Sequence, residues 1–128
     1  MKILVGYDGS DSSKEALKLA RKHAVAFGAT VHVVTSMEKS PEMKQEDQAL
    51  SELEAAKAMF AEKNVPCETH LLIRGVTPGE DIVDFANDKK IDEIIIGIVK
   101  RSKVGKLLMG STAQTVILGA NCPVISLR

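Results

Sequence analysis

Five short runs rich in Ile, Val and Leu punctuate the chain, at Ile3 to Tyr7, Val31 to Thr35, His70 to Ile73, Ile94 to Ile98 and Val124 to Leu127, with helically spaced segments between them. A run that is apolar throughout suits a strand covered on both faces, as in a parallel sheet. Strands separated by crossover helices imply right-handed βαβ units. The order β-α-β-α-β-α-β-loop-α-β predicts an α/β fold: a three-layer, doubly wound, Rossmann-like arrangement around a mainly parallel five-stranded sheet, with strand order 3-2-1-4-5. No linker, repeat or low-complexity tract interrupts the pattern, so residues 1–128 are expected to form a single domain.

The helices carry their own punctuation. Ser12 with Glu15 forms a capping-box pattern, Ala16, Ala20, Ala24 and Phe27 share a face, and Gly28 is placed to end the first helix. The second is expected from Pro41 to Asn64, with Leu50, Leu53, Ala56 and Phe60 as its buried stripe. Thr77, Pro78 and Glu80 open the third, whose inner face is Ile82, Val83 and Ala86. The last begins near Ser111 or Thr112, turns Ala113, Val116 and Ile117 inward and stops at Gly119.

Composition narrows the function classes. With 17 basic and 17 acidic side chains the formal charge cancels, so a general nucleic-acid or membrane footprint is not expected. The chain holds no apolar run long enough to span a bilayer and opens with no export signal, which makes a cytoplasmic location the expectation. Cys67 and Cys122 have no metal-like or CxxC spacing and read as two buried thiols.

In a doubly wound sheet, ligands bind beyond the carboxyl ends of the strands, where the strand order reverses. The first and fourth strands flank that point. After the first comes YDGSDSS, and after the fourth GIVKRSKVGKLLMGST. The second segment combines three glycines with Lys100, Arg101, Lys103 and Lys106, then leads through Gly110, Ser111 and Thr112 into a helix. Unpaired amides at a helix start and the positive end of its dipole attract anions. Gly97 and Gly110 would let the chain curl around a phosphate by adopting backbone angles other residues avoid. A solvated basic loop with glycine turns is the other reading. Asp8, just past the first strand, could accept from a ribose or hold a phosphate-bound Mg²⁺, or could simply cap a turn.

At these two segments the sequence resembles the universal stress protein family. ILVGYDGSDSSKEAL resembles its amino-terminal strand and Asp-x-Ser turn. GIVKRSKVGKLLMGSTAQTVILGANCPVISL resembles its signature G-x2-G-x9-G-(S/T), followed by a helix and a closing Pro-Val strand. The resemblance extends over the whole chain, Gly75 and Pro78 included. It implies the adenine nucleotide alpha hydrolase-like fold, ATP binding, and a homodimer formed through the last strand. By position, Asp8 would contact the ribose or a metal near the phosphates, and backbone groups near Ser36 would meet the adenine edge. Gly97, Gly110, Ser111 and Thr112 would surround ribose and phosphates. Lys100 stands where the signature has its second glycine. A positive φ there would cost lysine about a kcal/mol or more, whereas a site needing only the amide would keep it and gain an ammonium.

Three functions compete. The first is a small stress-response or regulatory protein that binds ATP or another adenine nucleotide and engages an unidentified downstream protein. The second is a dimeric interaction module of the same fold without nucleotide binding. The third is an enzyme such as a slow ATPase or nucleotidyl transferase. No nucleophile–base pair is evident, and His23, His32 and His70 are scattered in sequence, so a non-enzymatic role is expected. A P-loop is set aside because Gly105-Lys106 lacks the following hydroxyl and the spacing.

Overall fold

The structure, a computed structural model, describes residues 1–101 and 107–128. The elements run β1 (Lys2–Gly6), α1 (Asp11–Phe27), β2 (Thr30–Ser36), α2 (Met43–Ala61), β3 (Cys67–Leu72) and α3 (Pro78–Asp88). They continue with β4 (Glu93–Gly97), β5 (Val99–Arg101), β6 (Leu107–Met109), α4 (Ser111–Gly119) and β7 (Val124–Leu127). Five strands pair in parallel in the order β3-β2-β1-β4-β7, the expected 3-2-1-4-5 order with β7 as the fifth strand. The segment after β4, expected as a loop, contains a short antiparallel hairpin in which Val99 pairs with Met109 and Lys100 with Leu108. At three residues each, with two cations in β5, these strands are too short to announce themselves by an apolar run.

Alternation along the strands divides the core in two. Ile3, Val5, Val31 and Val33 face α1 and α2, where Ala16, Ala20, Leu53 and Phe60 meet them. Leu4, Val34, Ile94 and Ile96 face the other way, toward Ile82, Phe85 and Val116 of α3 and α4. The sheet is covered on both faces, which is why its central strands β1 and β4 are apolar through their interiors.

Local details depart from the sequence reading. Ser10, not Ser12, caps α1: its Oγ accepts from the Ser13 N–H at 3.2 Å. The run Ser10-Asp11-Ser12-Ser13 offers several side chains able to cap, and only the position with extended backbone can do so. Gly28 does end that helix in the left-handed region. Phe27 is exposed, edge-on to His23, and Leu17 is buried in its stead. On α2 the buried stripe is Ala49, Leu53, Ala56 and Phe60; Leu50 lies one residue, about 100°, round from Ala49 and half-exposed. On α3 Phe85 joins Ile82 and Ala86, with Val83 only partly buried. On α4 Ile117 is exposed while Ala113 and Val116 point inward. Cys67 and Cys122 are free and half-buried, and burial pushes the Cys67 thiol up to about 11.

His32 and His70, scattered in sequence, form a pair. His32 Nδ1 lies 3.1 Å from His70 Nε2, and both rings rest against Phe85. Gly79 sets how closely α3 and α4 approach, since a Cβ there would come within 2.6 Å of Thr115 Cβ. That approach brings the start of α4 beside the carboxyl edge of the sheet.

Candidate functional site at the sheet's carboxyl edge

Strand order reverses between β1 and β4, so the crossovers leaving their carboxyl ends diverge and a crevice opens there. It measures about 180 Å³. Tyr7 and Asp8 reach it from the end of β1, Val34 and Ser36 from β2, and Ile96, Gly97 and Ile98 from β4. Ser13 of α1, Pro78 and Ile82 of α3, and Gly110, Thr112 and Ala113 at the start of α4 complete the wall.

Asp8 is fixed by its neighbours. The Tyr7 N–H donates to the Val34 carbonyl at 2.8 Å, and the Thr35 hydroxyl donates to the Tyr7 carbonyl at 2.8 Å, so the end of β1 is anchored to β2. The Ser10 N–H donates to Asp8 Oδ1 at 2.9 Å, and Gly9 makes the turn between them at φ +82°, where a side chain would be strained. Burial raises the Asp8 pKa, but hydrogen bonds from Ser10 and Ser13 outweigh it and hold the carboxyl below its ordinary value. Asp8 is therefore ionised at neutral pH, a ready acceptor for hydroxyls and a partner for a cation.

The glycines serve the crevice differently from expectation. Among the described residues positive φ falls on Gly9, Gly28 and Gly75, with Asn64 and Lys90, and not on Gly97. Gly97 is needed because α1 crosses it closely: a Cβ would come within 2.3 Å of Ser12 Oγ and 2.7 Å of the Ser12 carbonyl carbon. Gly110 is extended, at φ −71° and ψ 162°, and is the N-cap of α4. Ser10 and Thr77 cap α1 and α3 with side-chain oxygens, whereas Gly110 has none to offer. The first-turn amides of α4 thus meet the crevice with no side-chain acceptor, the condition that favours an anion.

Of the residues singled out in sequence, Asp8, Ser36, Gly97, Gly110 and Thr112 line one crevice, although residues 8, 36, 97, 110 and 112 come from four separate stretches of chain. Ser111 begins α4 but is exposed and does not line it. Lys100 occupies the middle of β5, an extended position open to any residue, so no positive φ penalises lysine there. The side chains of Lys100 and Arg101, together with Lys103, Gly105 and Lys106, lie outside the described residues. Among the described residues no group of three or more His, Cys, Asp or Glu side chains could hold a metal ion.

Sequence reasoning missed the apolar wall of Val34, Ile82 and Ile96, which reads simply as core. It also missed a polar cluster behind Ser36. The Ser36 hydroxyl donates to Asp81 Oδ2 at 2.6 Å, and the Arg74 guanidinium pairs with Asp81 through Oδ1. Asp81 is 0% exposed. Its place on the inner face of α3 was the available signal: a carboxylate there, next to Ile82 and one turn from Phe85, needs a partner.

The family model for the universal stress protein family matches residues 1–128. A universal stress protein of Thermus aquaticus is 39% identical over 134 residues, covering 98% of this chain and 97% of its own. A solved universal stress protein from Archaeoglobus fulgidus is 39% identical and superimposes with a TM-score of 0.90, covering 100% of this chain and 98% of that one. Another solved structure, the A. fulgidus universal stress protein in complex with dAMP, is 34% identical with a TM-score of 0.84 over 100% and 98% of the two chains. The chain belongs to the universal stress protein family.

Proposed function

We propose that this universal stress protein family member binds an adenine nucleotide, ATP being the fullest occupant, in the crevice at the carboxyl edge of its sheet, and acts as a regulatory binding protein. The observation that carries this is the uncapped start of α4, which faces ionised Asp8 across an apolar-walled cleft. The strand order distributes the three parts of a nucleotide. Adjacent strands lie roughly 4.8 Å apart, so β2, β1 and β4 present Ser36, Asp8 and Gly97 in a row about two strand spacings long. A base seated on Val34 and Ile82 beside β2 puts its ribose at Asp8, whose oxygens accept from a sugar hydroxyl. The phosphates then meet the amides of Thr112 and Ala113 and continue toward Lys100. The A. fulgidus relative that holds dAMP supports this choice of ligand. A Mg²⁺ would come with the phosphates and meet Asp8 indirectly, since the described residues build no metal cage of their own.

Binding rather than catalysis is the role that fits. Among the described residues no histidine lines the crevice, and the carboxylate that the Ser36 hydroxyl meets, Asp81, is already paired with Arg74. An interaction module without nucleotide was suggested by Lys100, but a strand position for that residue removes the steric reason. Equilibrium titration of nucleotide-stripped protein with ATP and Mg²⁺ tests the proposal. One saturable site is expected, weakened roughly tenfold or more by Asp8→Ala, the effect of losing a charge-assisted hydrogen bond. Absence of binding at millimolar nucleotide contradicts it.

A further inference from the structure

The geometry points to Ser36 as the residue that selects adenine over 6-oxopurines, held to that task by Asp81 and Arg74; this rests on the nucleotide reading above. A serine hydroxyl has one proton to give and lone pairs to receive with. Here the proton is committed: Ser36 Oγ lies 2.6 Å from Asp81 Oδ2, a short contact of the kind a carboxylate acceptor makes. Asp81 can only accept, is fully buried, and is itself fixed by Arg74 on its other oxygen. Arg74 also reaches the Asp81 carbonyl at 3.4 Å, which ties its guanidinium to the first turns of α3.

Ser36 therefore offers the crevice lone pairs alone. The exocyclic amine of adenine is a donor at the purine six-position and matches them. Hypoxanthine and guanine carry a carbonyl oxygen there, which would face an oxygen that has no proton to give. Turning the Ser36 proton outward to meet that carbonyl would strip a buried carboxylate oxygen of its partner, so the mismatch persists in either rotamer. A purine with hydrogen at the six-position forfeits the bond without meeting repulsion and ranks between the two. Ser36 lies at the β2 end of the row of ligand-facing positions, away from the anion-binding start of α4, where a base extended from a phosphate seated at that start would fall. Asp81 and Arg74 touch no ligand in this scheme and are positioning residues.

Calorimetric titration with AMP, purine riboside monophosphate and IMP reads the selectivity directly. AMP is expected to bind roughly tenfold to a hundredfold more tightly than IMP, with the unsubstituted purine between them. In Ser36→Ala the AMP:IMP ratio is expected to fall toward one, mainly through weaker AMP binding. In Asp81→Asn an amide can donate to Ser36 and release its proton, so the ratio is expected to fall mainly through improved IMP binding. A merely structural role for Asp81 would weaken both ligands alike and leave the ratio intact. Equal AMP and IMP affinity in the wild type, or a ratio unmoved by Ser36→Ala, overturns this inference while leaving nucleotide binding standing. Failure of all three ligands to bind overturns the proposed function and this inference together.

Discussion

His32 and His70 sit diagonally across β2 and β3, because His32 is in register with Glu68 and His70 with Val34. Their 3.1 Å contact needs one N–H and one lone pair, so the pair is satisfied when neutral. Burial lowers the pKa of both. Glu68, whose carboxylate is 3.5 Å from His32 Nδ1, opposes the shift, while Lys89 adds to it on both rings and Lys2 on His32. The unfolded chain, titrating near pH 6.5, then binds protons that the folded chain refuses. The stability contributed is complete above about pH 6.5 and is lost as pH falls through that value toward the lower folded pKa values. Urea midpoints are expected to stay level from pH 8 to 7 and to drop between 6.5 and 5, with a shallower drop in His70→Asn. A midpoint that rises over the acidic interval contradicts this. Neither this pair nor the Ser36–Asp81–Arg74 cluster was legible in sequence, since residues 32 and 70, or 36 and 81, meet only through strand register and helix placement.

Among the elements, those with long apolar runs were readable and those without were not. β1, β2, β4 and β7 carry consecutive Val, Ile and Leu, and their positions agree with the sequence expectation to within a residue or so. β3 starts earlier than expected because Cys67, Glu68 and Thr69 extend it as an edge strand with mixed polarity. The β5–β6 hairpin left no periodic trace at all. Helix α2 shows the same limit from another side: Leu50 outweighs Ala49 in hydropathy, yet packing chose the smaller residue where the helix meets the sheet. At the opposite edge, β7 pairs only with β4 among the described residues, and Leu118, on the helix that leads into it, is 86% exposed. We propose that two copies pair isologously along β7, which would remove an open sheet edge. Sedimentation at tens of micromolar is expected to give a dimer; a monomer at that concentration contradicts the pairing.

At the scale of the whole molecule, the parallel topology does what no single segment could. Every strand of the five-stranded sheet points the same way, so each loop that leaves a carboxyl end of that sheet arrives at the same edge, and Asp8, Ser36, Gly97 and Thr112 converge there. The sequence motifs located two of these places, after the first and fourth strands, because those strands flank the reversal of strand order and each is followed by a glycine-bearing turn into a helix start. The apolar floor between them was indistinguishable from core, as it is core on its other side. Whether the convergence is a nucleotide site is best settled by following the backbone amides of the ¹⁵N-labelled protein during titration with AMP. The expected result is saturable one-to-one shifts that are largest at Asp8, Ser36, Gly97, Gly110, Thr112 and Ala113. A spectrum unchanged at millimolar AMP, or shifts confined to surfaces away from the β1–β4 crevice, would contradict it.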